Sequence, residues 1–470
     1  MLRRCSFAFV VLLSFFVAVA AVVQGLMVQA TSFVVPPLRT DLLDDYAERA
    51  QVERAGESLW LADGLPVVVA RGAPREMGRQ YGAALAGKIR AGIRLYLMAK
   101  VVQDWKYPLD YQRLCASAMR CHIPAEYLEE LEGVAQGSGV DFDMLLLLHT
   151  HADTVHFGHS WGRPDAAPGK ECTNFAAWGR WTTHGQLIHG RNLDWTVASG
   201  VQSCACVYVG LPRQGVPFAL VTFAGCIGGV TGMNAEGITF GEMTSSSSAE
   251  TLDGMPLFFI CRRILQYCRS IEDAERMVEA YPRTTGWNFL VADGKVPTAR
   301  AFEVDAESVR AFGPGDPAEN DPPLHWPMPD CVRRTNHFVD REHQLRQCRR
   351  YHLSYRLARA VLRATDTWRR YACVSRWVSA SPGMLDARRA RALLQTVPVA
   401  GDGTLHSVVM EPSSRRLWVA NASFKEGKGG PAWKEHYVCL DLSRWFAPAS
   451  LVRGSPVFGP GGERIFVFAP

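Results

Sequence analysis

The spacing of apolar residues changes near residue 172, and this change constrains the fold more than any other feature of the chain. Before it, apolar side chains recur at helical spacing, as in the series Met77, Tyr81, Leu85, Ile89, Ile93 and Leu97. After it, short β-prone segments alternate with turns, and helices return at 256–268, 270–280 and 340–362. The pattern predicts an α+β fold that is mainly helical up to residue 171, with a linker and one polar helix before residue 66.

The composition is that of a globular protein with a sizeable core. The chain has 470 residues, of which 48% are hydrophobic and 21% are charged. A net charge of +5 is too small to indicate nucleic acid as a partner, and no basic stripe interleaved with aromatic residues occurs. The glycine-rich phosphate-binding motifs are also absent, which argues against an enzyme that uses nucleotides.

A predicted β-hairpin brings three reactive side chains together. Residues 172–178 are β-prone, His184-Gly185 forms a turn signal, and a second strand resumes at residue 187. This hairpin places Arg191 and Asp194, on its second strand, near the sulfur of Cys172 at the start of its first. A cation and a carboxylate beside one thiol would tune that thiol as a nucleophile.

Several further motifs follow one another in a recognisable order. They lie at 72–82, 127–139, 232–237, 335–338 and 405–409. Together with the hairpin, they make residues 70–425 resemble the autoproteolytic N-terminal nucleophile family typified by acyl-coenzyme A:6-aminopenicillanic acid acyltransferase. Penicillin V acylase, bile salt hydrolase and acid ceramidase are similar at a greater distance. The resemblance implies a four-layer α-β-β-α sandwich of the N-terminal nucleophile hydrolase type.

The resemblance also implies that the chain cuts itself. The thiol of Cys172 would cleave the Glu171–Cys172 bond, leaving a helical α chain (31–171) and a catalytic β chain (172–470). The freed α-amino group, with a reference pKa of about 7.7–8.0, would then act as the base, so that no metal or organic cofactor is needed. The alternative is a buried and inert cysteine, the usual state of a free thiol.

The other site residues are taken from matching positions in the family. Asp194 would orient the α-amino group, Arg191 would lower the pKa of the thiol, and Asn336 would donate a hydrogen bond to the oxyanion. The alternatives are a surface ion pair for the first two and a turn for Asn336. Relatives place a second asparagine on the strand after 232–234. Here that strand reads Glu-Met-Thr at 242–244, which leaves Asn288 as a substitute donor, whereas Asn234 is interpreted as a turn residue.

The N-terminus has the pattern of a targeting segment. Arg3 and Arg4 precede an apolar run at 7–28, and residues 28–30 offer small side chains for a signal peptidase. A cleaved signal peptide at 1–30 and a retained membrane anchor at 7–28 both fit this pattern, and both predict a secreted, periplasmic or lumenal catalytic part. In such an oxidising compartment some of the 13 cysteines could pair, for example Cys115 with Cys121.

Four histidines lie shortly before residue 172, namely His149, His151, His156 and His159. Such a group could bind a transition metal, but neither an HExxH motif nor a second CxxC pair accompanies it. We therefore interpret them as histidines of a loop near the processing site and predict no metal centre.

These observations predict an N-terminal nucleophile amidohydrolase or acyltransferase. Its partner would be a small N-acyl substrate with an apolar acyl group, cleaved through a thioester, and an acyl acceptor could take the place of water. One alternative is a phospholipase B-like or ceramidase-like lipid hydrolase with the same nucleophile. Another is a non-catalytic, membrane-tethered binding module in which Cys172 stays unprocessed.

Overall fold

Two β-sheets lie face to face in the computed structural model, which describes residues 50–160, 172–425 and 427–446 and two short strands at 457–458 and 464–465. The larger sheet has ten strands, here numbered in chain order; from edge to edge they are β1 (Val52–Arg54), β2 (Leu59–Ala62), β3 (Leu65–Gly72), β6 (Ala205–Pro212), β7 (Phe218–Phe223), β8 (Thr231–Asn234), β9 (Ile238–Thr244), β10 (Trp287–Asp293), β11 (Thr298–Val304) and β12 (Val309–Phe312). Its neighbouring strands are antiparallel except for the parallel pair β3 and β6.

The smaller sheet has six antiparallel strands and carries the predicted hairpin. In order they are β13 (Cys331–Arg334), β4 (Thr173–Ala177), β5 (Ile188–Asp194), β14 (Thr404–Glu411), β15 (Arg416–Asn421) and β18 (Val438–Asp441). Two further hairpins stand apart from both sheets: β16 (Ser423–Lys425) with β17 (Lys428–Gly430), and β19 (Val457–Phe458) with β20 (Arg464–Ile465).

Alternating side chains hold the two sheets together. Val207 and Val209 of β6 pack in one apolar cluster with Val408 and Met410 of β14, so these side chains fill the space between the sheets. Tyr208, between the two valines, points to the opposite face and packs among the helices.

Helices cover the outer face of each sheet. On the larger sheet lie α1 (Pro74–Gly92), α2 (Leu109–Arg120), α3 (Ala125–Ser138), α4 (Phe142–Ser160), α5 (Leu257–Tyr267) and α6 (Ile271–Ala280). A π-helix, Ile93–Asp104, continues α1. On the smaller sheet lie α9 (Asp366–Ala380) and α10 (Ala387–Leu394), and α7 (Arg341–Arg350), α8 (Tyr355–Leu362) and α11 (Ser443–Phe446) complete the set. The predicted four-layer α-β-β-α sandwich is confirmed.

The glycines of the motif at 72–82 serve helix packing. A Cβ atom at Gly78 would clash with the main-chain carbonyl of Glu130, and one at Gly82 would meet the main chain of Val134. Helices α1 and α3 therefore approach so closely that only glycine fits at these crossings.

The region before residue 172 contains strands that the periodicity did not predict. Residues 52–72 form β1, β2 and β3 in place of a linker and the end of a polar helix; the rest of that predicted helix lies outside the described residues. The run Val67-Val68-Val69 explains the difference, because β-branched residues favour strands. Since β3 pairs with β6, the predicted α chain contributes to the same sheet as the β chain.

Two smaller expectations also change. The predicted helix at 340–362 is two helices, α7 and α8, and Ser354 caps the second by accepting a hydrogen bond from the Leu357 amide. Cys121, exposed just after α2, is a free thiol, so no disulfide joins it to the buried Cys115. Within the described ranges, no helix combines the length and apolarity needed to cross a bilayer, and the predicted leader at 7–28 lies outside them.

Candidate active site

The hairpin around Cys172 forms as predicted. Strands β4 and β5 pair in antiparallel register, with Thr173 opposite Asn192 and Asn174 opposite Arg191. Cys172 stands directly before β4, and only 2% of its surface is exposed. The hairpin register thus sets this cysteine beside the end of β5, where Arg191 and Asp194 lie. Glu171, on the other side of the predicted cleavage point, lies outside the described residues.

The thiol contacts both predicted partners, although through different kinds of atoms. Its Sγ is 3.7 Å from the main-chain oxygen of Asp194 and 4.0 Å from Nη2 of Arg191. Burial raises the pKa of the Cys172 thiol to about 11, while the Arg191 guanidinium opposes that rise and Glu242 and Asp194 add to it. Arg191 thus lowers the pKa of the thiol, as expected, but the effect of burial is larger and the net pKa is raised. For such a thiol to act as a nucleophile at neutral pH, a base would have to remove its proton.

Arg191 crosses from the smaller sheet to the larger one. Its Nη1 donates to the carbonyl of Val230 and to Oγ1 of Thr231, and its Nη2 lies 3.5 Å from Oε2 of Glu242. Burial raises the pKa of Glu242 to about 7, against the opposing effect of Arg191. A pair of buried ionisable groups with a shifted pKa is typical of functional sites.

Glu242 was not among the predicted site residues. The sequence contained one indication, because a carboxylate in the otherwise uncharged strand Ile238–Thr244 is unusual. The same strand lacks the second asparagine that relatives carry at this place.

Asn336 is linked to Cys172 through a residue that the sequence did not reveal. It follows β13, and its Nδ2 donates to the main-chain oxygen of Thr244 at 2.9 Å. Arg370, in α9, donates through Nη2 to Oδ1 of Asn336 at 3.1 Å and through Nη1 to the main-chain oxygen of Cys172. No local pattern marks Arg370, which is one of several arginines in this part of the chain.

Asn288 supports the loop that carries Asn336. Its Nδ2 donates to the main-chain oxygens of Thr335 and His337, at 2.9 and 3.0 Å, so it fixes both neighbours of Asn336. Its proposed role as a substitute oxyanion donor is therefore wrong, because the amide nitrogen already serves this loop. Asn234 donates to two main-chain oxygens within 265–268 and accepts from the amide of residue 238, which confirms its interpretation as a turn residue.

An apolar cavity opens beside the thiol. Its empty space, including the part that is open to solvent, is about 800 Å³, and Cys172 and Glu242 lie on its wall. Most of the remaining wall is apolar, and includes Leu148, Val221, Phe223, Val230, Leu257, Phe258 and Leu405. Such a surface suits a hydrocarbon or aromatic group better than a polar one.

Three side chains that are joined by hydrogen bonds, Tyr96, Trp195 and His151, form another part of the cavity wall. The hydroxyl of Tyr96 accepts from Nε1 of Trp195 at 2.7 Å and donates to Nε2 of His151 at 2.9 Å. Nδ1 of His151 donates to the carbonyl of Leu148, and burial lowers the pKa of this histidine to about 4. The polar atoms of this wall therefore satisfy one another, and the aromatic rings remain to face a ligand.

The histidines before residue 172 lie in helix α4 and not in a loop, which corrects that expectation. Nδ1 of His149 donates to the carbonyl of Leu145, and its Nε2 accepts from the amide of Ile227. Both nitrogens are thus already bonded to the main chain. In the ranges that the structure describes, no cluster of three histidine, cysteine, aspartate or glutamate side chains could hold a metal ion; the side chain of His159 is outside them.

Comparison with known proteins gives a family and several relatives. The model of the family described as acyl-coenzyme A:6-aminopenicillanic acid acyl-transferase matches residues 181–426. The protein dcd1B of Dictyostelium discoideum is 29% identical over 231 residues, which are 48% of this chain and 43% of the relative. An uncharacterized protein of Archaeoglobus fulgidus is 26% identical over 257 residues, 50% of this chain and 42% of that one. The match thus spans less than half the length of these relatives.

Two of the solved structures that match this chain are the following. An N-acylethanolamine-hydrolyzing acid amidase ortholog from Caenorhabditis elegans is 18% identical with a TM-score of 0.37, and the match covers 51% of this chain and 93% of that one. Penicillin V acylase from Agrobacterium tumefaciens is 13% identical with a TM-score of 0.37, covering 58% and 87%.

Proposed function

The chain belongs to the acyl-coenzyme A:6-aminopenicillanic acid acyl-transferase family, and on this basis we propose that it is a self-processing cysteine amidohydrolase or acyltransferase that acts on N-acyl amides. One observation supports this most strongly. The buried thiol of Cys172 lies on the wall of an apolar cavity, beside Arg191 and the end of the strand that carries Asp194.

Self-processing would be the first reaction. The thiol of Cys172 adds to the carbonyl carbon of Glu171, the bond from that carbon to the Cys172 nitrogen breaks, and the nitrogen takes up the thiol proton. A thioester between the two residues results. Water then hydrolyses this thioester, which releases the carboxylate of Glu171 and regenerates the thiol. The products are a chain that ends at Glu171 and a chain that begins at Cys172.

The new α-amino group then serves as the base for turnover. Because burial raises the pKa of the thiol to about 11, a thiolate does not accumulate at neutral pH. An adjacent amine with a reference pKa of about 7.7–8.0 can take the thiol proton as the sulfur attacks the substrate carbonyl. The same proton then passes to the nitrogen of the leaving amine. Water, or a second amine in acyl transfer, cleaves the resulting thioester.

The neighbouring side chains would divide the remaining work. The NH₂ group of Asn336 has two hydrogens, so one can bond to Thr244 while the other is directed at an oxyanion. Arg370 holds the amide oxygen of Asn336 and so fixes its orientation. We assign to Asp194 the orientation of the α-amino group, and to Arg191 the stabilisation of developing negative charge on sulfur.

The cavity indicates the acyl half of the substrate. Its apolar wall fits an aliphatic or aryl acyl group, and cysteine chemistry with an amine base requires no metal or organic cofactor. We also propose that the reaction takes place outside the cytoplasm, because Arg3, Arg4 and the apolar run at 7–28 have the pattern of a leader.

A substrate panel tests this proposal. Purified full-length protein is incubated with N-acyl amides of increasing acyl length, and the released amine is measured. We expect turnover that requires an apolar acyl group, that iodoacetamide abolishes and that EDTA leaves unchanged. Cys172→Ala should be inactive, whereas Cys121→Ala, which removes an exposed thiol, should be fully active. Equal activity of Cys172→Ala and the unmodified protein would refute the proposal.

A further inference from the structure

A second cavity lies near the first and shares the residue Thr244 with it. Its empty space, including the part that is open to solvent, is about 1060 Å³, and it is bounded by the loop of Asn336, the start of α9 and one face of α8. Thr244 lines both cavities, and the hydrogen bond from Asn336 to the Thr244 carbonyl stands between them. Arg370 lines this second space and bonds to the main-chain oxygen of Cys172. Cys172 therefore lines the apolar cavity and is connected to the second, mixed cavity through Arg370.

This arrangement matches the two halves of an amide. The acyl group and the amine leave the carbonyl carbon in different directions. An acyl group in the apolar cavity, with its carbonyl carbon at Sγ of Cys172, directs the amine toward Asn336 and the second cavity. The wall supplied by α8 is apolar, with Val361 and Leu362, and other lining residues carry hydrogen-bonding groups, among them Gln347 and Thr367.

Two charged side chains that line the second cavity differ in their exposure to solvent. The ionised side chains among its described lining residues are Arg370 and Asp366, because burial lowers the pKa of His337 and keeps that ring neutral. Arg370 is 1% exposed, and it donates to Asp366, Asn336 and the Cys172 carbonyl. The Asp366 side chain is 44% exposed. The carboxylate of Asp366, although paired with Arg370, is therefore the charged group of this cavity that is more accessible to a ligand.

We propose that the second cavity is the amine subsite, and that it selects neutral or positively charged amines over amines that carry a carboxylate or sulfonate. It would receive the leaving amine in hydrolysis and the acceptor amine in acyl transfer. This inference rests on the proposed function, since it assigns the other half of the same substrate. The apolar wall of α8 contacts the carbon skeleton of the amine, and Asp366 disfavours a second negative charge.

Steric filling of the cavity is the first test. Val361→Trp narrows the subsite from α8, a helix without buried residues, so the fold should tolerate the larger ring. Val296→Trp makes the same change at a position that is 70% exposed in the turn after β10. Two substrates with one acyl group are compared, a methylamide and an amide of a larger neutral amine. Val361→Trp should raise KM for the larger amide by about 10-fold or more and leave the methylamide nearly unchanged.

The second test measures charge selection. For each protein, it gives the ratio of kcat/KM for two substrates. The larger neutral amide is compared with the amide of an amino acid of similar size. The unmodified protein should prefer the neutral amide by about 10-fold in kcat/KM, and Asp366→Asn should bring that ratio close to one. Because both substrates meet the same variant, any general loss of rate through Arg370 cancels.

The outcomes separate the two proposals. If the unmodified protein hydrolyses none of these amides, the proposed function fails and the amine subsite fails with it. If turnover is normal but Val361→Trp and Val296→Trp affect the two amides alike, the subsite lies elsewhere. A ratio that Asp366→Asn leaves unchanged would refute charge selection.

Discussion

Two buried arginine–glutamate pairs in this molecule differ in how fully they are satisfied. In the helical layer, Arg262 of α5 meets Glu130 of α3 through hydrogen bonds of 2.8 and 3.2 Å, and Tyr208 donates to the same carboxylate at 2.7 Å. Between the two sheets, Arg191 meets Glu242 through a single contact of 3.5 Å. Both pairs are almost inaccessible to solvent.

The electrostatics follow from these contacts. Burial alone would lower the pKa of Arg262, but the Glu130 carboxylate and nearby tyrosines raise it above its usual value, so this pair remains charged. Burial raises the pKa of Glu242 to about 7, because Arg191 compensates its charge only in part. The first pair stabilises the contact between two helices. The second is costly for the fold and stands beside Cys172, the proposed nucleophile, and such costly buried pairs are expected at functional sites.

The largest effect on stability should come from the Arg262–Glu130 pair, which is the more fully hydrogen-bonded of the two. Glu130→Ala leaves Arg262 as an uncompensated buried charge, and we expect the free energy of unfolding to fall by about 3–5 kcal/mol. Denaturant unfolding measures this, with the exposed neighbour Glu129→Ala as the control. If the free energy of unfolding falls by less than about 1 kcal/mol, the Arg262–Glu130 pair does not stabilise the fold more than the Arg191–Glu242 pair does.

The next effect should appear in catalysis and not in stability. Asn336→Ala removes the proposed oxyanion donor, so kcat should fall by roughly 10²–10³. The exposed Asn320→Ala should have normal kinetics. Near-normal turnover by Asn336→Ala would place the oxyanion donor elsewhere and would leave Asn336 as a loop residue only.

A smaller effect on stability, opposite in sign to that of Glu130→Ala, is expected at the Arg191–Glu242 pair. The pKa of Glu242 is raised from 4.5 to about 7 on folding, so the folded state holds its proton more tightly than the unfolded state. Its contribution to stability is therefore fully present below about pH 4.5 and is lost as pH rises through 7. Glu242→Gln, which stays neutral, should be more stable than the unmodified protein at pH 8, by on the order of 3 kcal/mol, and nearly equal to it at pH 4.5.

Thermal and denaturant unfolding from pH 4.5 to 8 measures this difference. Glu130→Gln serves as the matched comparison and should be destabilised over the whole range. If Glu242→Gln is destabilised at pH 8 to the same extent as Glu130→Gln, the Arg191–Glu242 pair is a stabilising ion pair and the comparison between the two regions is wrong.

The same contrast explains what the sequence could predict. Cys172, Arg191 and Asp194 lie on one hairpin, so turn signals and strand spacing were enough to bring them together. Glu242 and Arg370 reach the site from the other sheet and from α9, and only the stacking of layers places them there. Local patterns contain no information about such contacts.

The fold shows the same limit. Helix periodicity after residue 74 and strand alternation after residue 172 predicted the α+β class, and the resemblance implied its four layers. The strands at 52–72 were missed, although three consecutive valines in β3 favour a strand. The parallel pairing of β3 with β6 joins segments more than a hundred residues apart, which no periodicity can show. Likewise, the side chains of His149 and His151 form hydrogen bonds with Ile227 and Tyr96, which are distant in sequence.

The central claim is that Cys172 becomes an N-terminal nucleophile, and the N-terminus of the mature catalytic chain tests it most directly. Full-length protein is purified, its chains are separated, and the N-terminal residue and mass of each are determined. We expect a chain that begins at Cys172, formed by the unmodified protein and absent from Cys172→Ala, which should remain a single chain across this junction. Fully active protein with an intact Glu171–Cys172 bond, or cleavage at that bond in Cys172→Ala, would show that Cys172 is not an N-terminal nucleophile.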